Sequence, residues 1–274
     1  MNEPNPQSPA TPPLPASIPA QGPQPPISVG GQSPPPERLG PIAAQTHFQR
    51  ELAMVKRRVL DEATSAVAML EAAIGALWDL NTAAAGEILK RDDRLDQEEV
   101  EIEEAVFRLM TLQHPFARDF RLLAFILKVN GDIERVGDHA CSIAKIVFKL
   151  ADQAPAEWPQ SLVELGQRVP IACQRLLRAL MDEDAELSRS VVVDDKTIDR
   201  LTRRLFDETV DFMERHDEAH AAGLLIYRIG RELERVGDLM TNIAEDIIYL
   251  RTGEIVRHEK KRMREGLTEP GQQA

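Results

Sequence analysis

The feature that most constrains the fold of this chain is an internal duplication. The pentapeptide Glu-Arg-Val-Gly-Asp occurs at residues 134–138 and again, one hundred residues later, at residues 234–238. A helix with one apolar stripe must bury that stripe against other helices, so the duplication predicts two similar helical units in tandem. The apolar positions around both copies follow helical spacing in the same register: Ile133, Val136, Ala140, Ile143, Val147 and Leu150, then Leu233, Val236, Met240, Ile243, Ile247 and Leu250.

The segments that precede the pentapeptides repeat in the same way. Helices are predicted at about 46–80, 82–112, 116–150, 161–181, 184–214 and 217–252, with Pro115 after the second because proline cannot continue the hydrogen-bond ladder. The predicted fold is all-α, with two three-helix-bundle repeats at 42–152 and 153–258 and a charged tail at 259–274. Apolar residues recur every seven positions in both copies, at an offset of 103: Ile88, Leu95, Ile102 and Leu109, then Val191, Ile198, Leu205 and Phe212.

Residues 1–41 differ in composition from the rest of the chain. They hold 14 of the 19 prolines and show no apolar periodicity, so they cannot bury enough apolar surface to fold. We predict a disordered tail that is either a spacer or a polyproline-type ligand for a partner. The tail lacks the basic start and apolar core of a signal peptide, and no apolar run reaches the roughly 20 residues of a membrane helix. A soluble, cytoplasmic protein is expected.

Paired carboxylates are the candidate functional groups. In each repeat the second and third helices are predicted to form an antiparallel hairpin, with turns near residues 114 and 216. Counting residues outward from each turn places one acid pair of each helix level with the other. Carboxylates gathered in this way repel one another unless they are protonated, spread apart or neutralised by cations. Oxygen-only ligands suit hard ions such as magnesium, manganese, iron or calcium. Each pair is spaced four residues apart, on one helix face: Asp92 with Asp96 and Glu134 with Asp138, then Asp195 with Asp199 and Glu234 with Asp238.

The alternative to a metal site is a solvated acidic face, in which Arg135 and Arg235 pair with neighbouring acids. Two features that destabilise the helices favour the metal-site interpretation, because a sequence is expected to keep them only if they serve a purpose. Like charges four residues apart cost a helix a few tenths of a kcal/mol, and Gly137 and Gly237 each cost roughly 1 kcal/mol relative to alanine. We interpret each glycine as a point of close approach to the neighbouring helix, with an unexplained packing preference as the alternative.

The two repeats are not equal. The first extends its acidic stripe through Glu99, where the second has Thr202. Lys145 of the first repeat opposes a bound cation, and the corresponding Glu245 either helps to hold one or is solvated. His139 offers a nitrogen ligand, although a packed or exposed histidine is the simpler interpretation. The two sites are therefore expected to differ in affinity or in the number of metal ions.

Composition and motifs narrow the classes of function. A net charge of −12 argues against a nucleic-acid partner, and two cysteines cannot form a four-thiolate zinc site. The Glu-x-x-His pattern of di-iron bundle enzymes, the P-loop and the nucleophile elbow are absent. Three functions stay open: a non-enzymatic adaptor, a carboxylate-bridged metal hydrolase or oxygenase, and a helical scaffold whose acids bind nothing.

The two repeats, with the segments HPFARDFRLLAFILKVNGDIERVGDHACSIAK and ELERVGDLMTNIAEDIIYLRTGE, resemble the PhoU family of phosphate-transport and phosphate-signalling regulators. The resemblance covers about residues 45–258. It implies a cytoplasmic, non-enzymatic, all-α protein that represses the phosphate-starvation response. It also implies two partners, the ATPase subunit of the high-affinity phosphate ABC transporter and a sensor histidine kinase. A homodimer that reaches the membrane only through these partners is expected.

The resemblance also bears on metals, because members of this family can carry multinuclear metal clusters on E(D)xxxD motifs, one cluster per repeat. Iron, manganese, magnesium and zinc are all implied as possible ions. Lys145, Thr202 and Phe206 depart from a fully acidic pattern and limit the expected occupancy. By position the implied ligands are Asp92, Asp96, Glu134 and Asp138 in the first repeat and Asp195, Asp199, Glu234 and Asp238 in the second.

Overall fold

The computed structural model describes residues 41–256 apart from residues 114, 153–154 and 156. The predicted all-α fold is confirmed, since every regular element in this range is helical. The predicted tails lie outside the described residues, except that Pro41 already begins the first helix. The elements are α1 (Pro41–Trp78), α2 (Thr82–Leu89), α3 (Asp92–Gln113), α4 (Ala117–Leu150), α5 (Gln160–Asp182), α6 (Ala185–Arg215), a 3-10 turn (Asp217–Ala219) and α7 (His220–Thr252).

The second predicted helix, at about 82–112, is wrong as one continuous element. A turn at Lys90 and Arg91 separates α2 from α3. In this turn the Arg91 amide donates to the Ile88 carbonyl at 3.0 Å, which is the tighter spacing of a 3-10 turn. Asp92 and Asp93 then occupy the first turn of α3, where the positive end of the helix dipole favours acids. In the second repeat α6 runs without this interruption.

Local capping signals account for several other boundaries. The Asp184 carboxylate accepts from the amides of Glu186 and Leu187 at 2.9 and 3.0 Å, and so caps the start of α6. The sixth predicted helix begins later than expected, because a 3-10 turn precedes His220. Gly253 ends α7 in the left-handed conformation, with φ of 77°, which glycine adopts without strain.

Helices α4 and α7, which carry the duplicated pentapeptide, lie at the centre of the fold. α4 packs against α1, α2, α3 and α7, and α7 packs against α4, α5 and α6. Buried apolar side chains from both repeats form one continuous core. Ala66, Val136, Cys173 and Ile243, from four different helices, line the same apolar crevice. None of the helices in the described range combines the length and the hydropathy of a membrane span.

The glycines of the pentapeptide mark the closest approach between neighbouring helices. A Cβ atom on Gly137 would overlap the side chain of Leu95 in α3. A Cβ atom on Gly237 would lie 3.2 and 3.3 Å from two carbons of Ile198 in α6. Leu95 and Ile198 are corresponding positions of the two repeats, so both glycines serve the same contact. This agrees with the interpretation of close approach drawn from the sequence.

The first helices of the two repeats also correspond, at an offset of 103 residues. Eight buried positions of α1 match eight buried positions of α5. In seven of the pairs both residues are apolar or glycine, but Glu62 of α1 corresponds to Leu165 of α5. The other pairs are Val59 with Leu162, Ala63 with Gly166, Ala66 with Val169, Met69 with Ala172, Leu70 with Cys173, Ala73 with Leu176 and Ala76 with Ala179.

Polar side-chain pairs link α4 of the first repeat to α7 of the second. The Lys128 ammonium lies 2.5 Å from a carboxylate oxygen of Asp246, and Nδ1 of His139 lies 2.7 Å from Oε2 of Glu232. Both acids are buried, with 5% and 6% of their surface exposed. Because burying an unpaired carboxylate is costly, these pairs hold the central helices in register.

An aromatic pair also joins the two repeats. Trp78 is the last residue of α1, and Trp158 lies just before α5. Their ring centroids are 5.4 Å apart at an interplanar angle of 77°, an edge-to-face contact. Gly166 of α5 leaves room for the Trp78 ring, which a Cβ atom at that position would overlap.

Candidate metal-binding carboxylate clusters

Each group of four predicted ligands lies between two antiparallel helices. In the first repeat Leu95 of α3 faces Gly137 of α4, and further along α3 the Glu99 carbonyl accepts from the Asn130 side chain at 2.9 Å. The opposite directions of these pairings show that the helices are antiparallel. We call Asp92, Asp96, Glu134 and Asp138 the first carboxylate cluster, and Asp195, Asp199, Glu234 and Asp238 the second.

The second carboxylate cluster brings three of its four predicted ligands together. One oxygen each from Asp195, Asp199 and Asp238 lies within 4.8 Å of the other two. Burial and the charge of Asp199 together raise the pKa of Asp238. Such spacing and mutual repulsion fit an oxygen-coordinated hard cation.

The fourth predicted ligand of this cluster, Glu234, is engaged elsewhere. The guanidinium of Arg231, one turn earlier on α7, donates to a carboxylate oxygen of Glu234. Burial and the charges of Asp238 and Asp199 nevertheless raise the pKa of Glu234, against the opposing charge of Arg231. The fourth predicted ligand of the second cluster is thus paired with a positive charge from its own helix.

The members of the first carboxylate cluster also act on one another. Burial, followed by the charges of Asp92 and Asp138, raises the pKa of Asp96. Burial, followed by the charges of Asp138 and Glu99, raises the pKa of Glu134 to about 7. Asp138, four residues along α4, is thus one source of the raised pKa of Glu134.

Cys141 and Lys145 lie at the Asp92 end of the first cluster. The Cys141 thiol donates to Oδ1 of Asp92 at 3.2 Å. Burial and this hydrogen bond raise the pKa of Cys141 to about 12, so the thiol stays protonated. Lys145 is close enough to oppose that shift, and its charge therefore acts on the same end of the cluster.

His139 does not face the carboxylates on its own helix. Its Nδ1 atom is paired with Glu232 of α7 at 2.7 Å, and 16% of its side chain is exposed. The packed histidine, the simpler of the two interpretations of the sequence, agrees with this contact. One ring nitrogen is thereby committed to the pairing between repeats.

Three residues near the clusters were missed from the sequence. Arg231 has Gly131 as its counterpart at an offset of 100, so the first repeat has no side chain there. Glu62 and Asn130 are buried polar residues of the first repeat, with 2% and 3% of their surface exposed. An alignment of the two repeats could have identified Glu62 and Asn130, because it pairs this glutamate with a leucine and this asparagine with a glycine.

Comparison with known families agrees with the duplication. The family model described as "PhoU domain" matches the chain twice, at residues 59–147 and at residues 162–247. One matched segment lies within each predicted repeat. The exact bounds of the repeats stay predictions.

Individual relatives match most of the folded part. A protein of Pseudomonas aeruginosa named "Phosphate-specific transport system accessory protein PhoU homolog" is 35% identical over 214 residues, which are 77% of this chain and 88% of that protein. A Thermotoga maritima protein named "Phosphate-specific transport system accessory protein PhoU homolog 1" is 30% identical over 208 residues, 76% of this chain and 90% of its own.

Solved structures show the same fold. The crystal structure of PhoU from Pseudomonas aeruginosa superposes with a TM-score of 0.72 at 34% identity, covering 76% of this chain and 100% of that one. The phosphate transport system regulatory protein PhoU from Streptococcus pneumoniae gives a TM-score of 0.71 at 30% identity, covering 76% of this chain and 99% of the other.

Proposed function

Since the chain belongs to the PhoU family, we propose that it is a non-enzymatic regulator of phosphate homeostasis. In this function it couples the high-affinity phosphate ABC transporter to a sensor histidine kinase and represses the phosphate-starvation response. The observation that carries the proposal is the twofold family match at residues 59–147 and 162–247, which spans both halves of the folded part. The names of the relatives, accessory and regulatory proteins of phosphate transport, support a regulator over an enzyme.

The proposed partners are the transporter's ATPase subunit and the kinase, both reached from the cytoplasm. The protein itself is proposed to be a homodimer that associates with the membrane only through these partners. The acidic balance of the chain, with a net charge of −12, supports basic partner surfaces and argues against nucleic acid.

Metal binding at the two carboxylate clusters is the second part of the proposal. The donor set is oxygen only, and in the second cluster three aspartates already lie within 4.8 Å of one another. Such ligands suit magnesium, manganese or iron, and zinc also accepts carboxylate oxygens. A bound cation would offset the burial and the mutual repulsion that raise the pKa values of Asp96, Glu134 and Asp238.

The regulatory function is tested by deleting the gene and measuring a reporter controlled by a phosphate-starvation promoter. At high phosphate we expect the deletion to release the reporter from repression and the full chain to restore repression. Pull-downs with the ATPase subunit and with the kinase should each retain the protein, whereas the ATPase of an unrelated ABC transporter should not. Unchanged reporter expression in the deletion strain contradicts the proposal.

The metal-binding part is tested by elemental analysis of the full chain after purification without chelators. We expect bound metal in the unmodified protein and a clear loss in the double variant Asp138→Asn/Asp238→Asn. The matched control is Asp61→Asn/Asp207→Asn, because both acids are exposed and lie outside the clusters. Equal metal content in all three proteins contradicts binding at the clusters.

A further inference from the structure

Glu62 is a buried carboxylate that neither carboxylate cluster includes. It lies on α1, 2% of its surface is exposed, and neither of its oxygens has a hydrogen-bond partner among the described residues. The neighbouring cation, Arg58, donates instead to Glu98 and Glu101 at 2.6 and 2.7 Å. A carboxylate kept from water without a partner carries a large free-energy cost, so the site needs a proton or a cation.

Two further polar side chains, those of Asn130 and Glu99, lie between α3 and α4. The side-chain oxygen of Asn130 on α4 is also buried and has no hydrogen-bond partner in the described part of the chain. The Asn130 amide group donates to the Glu99 carbonyl at 2.9 Å, which fixes this side chain beside α3. Oε1 of Glu99 lies 3.5 Å from the position that a Cβ atom of Gly131 would take. Glu99 and Asn130 therefore face the same gap between α3 and α4.

The charges of this gap act on Glu62. Burial, followed by the charges of Glu99, Glu98 and Glu134, raises the pKa of Glu62 to about 8. Together with Glu62 itself, these acids come from three helices, so the repulsion is built into the packing and not into a single flexible loop. Glu62 and Glu98 also line a groove of about 430 Å³ between α1 and α3.

Of the corresponding groups, the second repeat keeps only Glu234, the counterpart of Glu134. At the positions of Glu62, Glu99 and Asn130 it has Leu165, Thr202 and Gly230. Leu165 is fully buried and lies 3.8 Å from the position of a Cβ atom on Gly230. The fold therefore accepts an apolar residue at this core position. A glutamate there is not required for packing and calls for a ligand.

We propose that Glu62, Glu99, Glu134 and the side-chain oxygen of Asn130 hold a hard divalent cation in the first repeat, on the α1 side of the first carboxylate cluster. The inference deepens the proposed metal binding and rests on it, because Glu134 belongs to both groups. It predicts that the first repeat takes one ion that the second cannot. Oxygen-only ligands, one of them a neutral amide, suit manganese or magnesium.

Manganese is a suitable probe, since free Mn²⁺ is measured directly by its electron paramagnetic resonance signal. The metal-free full chain is titrated with Mn²⁺ beside Glu62→Leu, which installs the residue of the second repeat, and Asn130→Gly, which does the same on α4. The matched control is Glu104→Leu, the same change at an exposed position of α3. Far-UV circular dichroism checks that each variant folds.

We expect Glu62→Leu to lose one Mn²⁺ equivalent, or to bind it at least about tenfold more weakly, since even outer partners of a metal site are typically worth 10- to 100-fold. Asn130→Gly should weaken the same ion, and Glu104→Leu should match the unmodified protein. Mn²⁺ should raise the melting temperature of the unmodified protein more than that of Glu62→Leu, because a ligand stabilises the state that binds it.

The outcomes separate this inference from the proposal on which it rests. If Asp195→Asn/Asp199→Asn loses Mn²⁺ but Glu62→Leu keeps the full number of ions at unchanged affinity, the carboxylate clusters stand and the Glu62 site is wrong. If the unmodified protein binds no Mn²⁺, both are wrong. If Glu62→Leu does not fold, Asn130→Gly and the isosteric Glu62→Gln decide the question by the same loss of one ion.

Discussion

Gly137 and Gly237 face the same apolar position of the preceding helix, so at this residue the two repeats pack alike. The charges beside these glycines differ. Burial and other acids act on Glu134, whereas an arginine from its own helix pairs with Glu234. The two repeats thus share the need for a small residue at the glycine but differ in the charges around the neighbouring glutamate. Each feature can be tested at a single residue.

The steric requirement predicts the effect of Gly237→Val. The added carbons must push against Ile198, which is β-branched and buried, and overpacking of this kind typically costs about 1–3 kcal/mol. The control is Gly75→Val on α1, because nothing lies within 4 Å of a Cβ atom there. We expect chemical denaturation to show a loss for Gly237→Val and little change for the control. Equal changes contradict the close-approach explanation.

The electrostatic difference predicts that Arg231 competes with metal at the second cluster. Removing it in Arg231→Ala frees Glu234 to act as a ligand, and a partly exposed ion pair is worth up to about 1 kcal/mol, or about fivefold in affinity. We expect tighter Mn²⁺ binding at the second cluster in Arg231→Ala. Arg215→Ala, an exposed arginine at the end of α6, controls for net charge and should leave the affinity unchanged. Weaker binding in Arg231→Ala contradicts the competition.

The sequence predicted which acids lie together better than it predicted their partners. Asp195, Asp199 and Asp238 follow from helical spacing and hairpin arithmetic, which depend only on backbone geometry. Arg231 was missed because an arginine three residues before a glutamate is equally compatible with solvent or with a pair. Glu62 was missed because its burial depends on how α1 sits on α3 and α4, which no local pattern encodes.

At the scale of whole elements, the helices were predictable wherever proline or a change of periodicity ended them. The turn at Lys90 and Arg91 was not, because Ile88 and Leu95 continue the seven-residue repeat across it and both are buried. The seven-residue spacing of apolar residues thus indicates which positions are buried, but it does not show that the helix is continuous. The usable signal was the pair of acids at 92 and 93, which are typical of a first helical turn.

The junction between α5 and α6 depends on an ion pair with α1, and its strength should depend on pH. Lys56 donates to Glu183 at 2.7 Å, and Arg118 lies 3.9 Å from the other carboxylate oxygen. The hydrogen bond from Lys56, with the charges of both cations, lowers the pKa of Glu183 below its ordinary value of 4.5, against the effect of burial. Stability from this pair is complete above pH 4.5 and is lost as the pH falls through the lowered pKa.

The corresponding variant is Glu183→Gln. At pH 7 we expect it to be less stable by about 1 kcal/mol, the upper range for partly exposed pairs, with the difference disappearing as the pH falls below 4.5. Denaturant titrations at several pH values measure this difference. Glu186→Gln, at an acid 88% exposed, should show little effect at any pH. A constant difference for Glu183→Gln across this range contradicts the ion-pair explanation.

For the molecule as a whole, the two repeats of the sequence share one core. Asp246 and Glu232 are buried acids that pair with Lys128 and His139 of the other repeat. Cys173 of α5 donates to the sulfur of Met240 on α7 in the same interior. Separating the repeats would leave both acids buried without these partners or expose the apolar surface around them.

We therefore expect the chain to unfold in one cooperative transition. Differential scanning calorimetry of the metal-free protein should give a single peak whose calorimetric and van't Hoff enthalpies agree. Fragments 41–152 and 157–256, expressed separately, should show much less helix by circular dichroism than the intact chain. Two resolved peaks, or two fully helical fragments, would show that the repeats fold independently.

The edge-to-face pair of Trp78 and Trp158 has a practical consequence, because these are the 2 tryptophans of the chain. Indole fluorescence therefore originates at one place, where the end of α1 meets the approach to α5. Emission reports the solvent exposure of this joint, while the helices elsewhere contribute nothing to the tryptophan signal. Intrinsic tryptophan fluorescence, without any added dye, therefore shows whether the two repeats stay in contact when an ion or a partner binds.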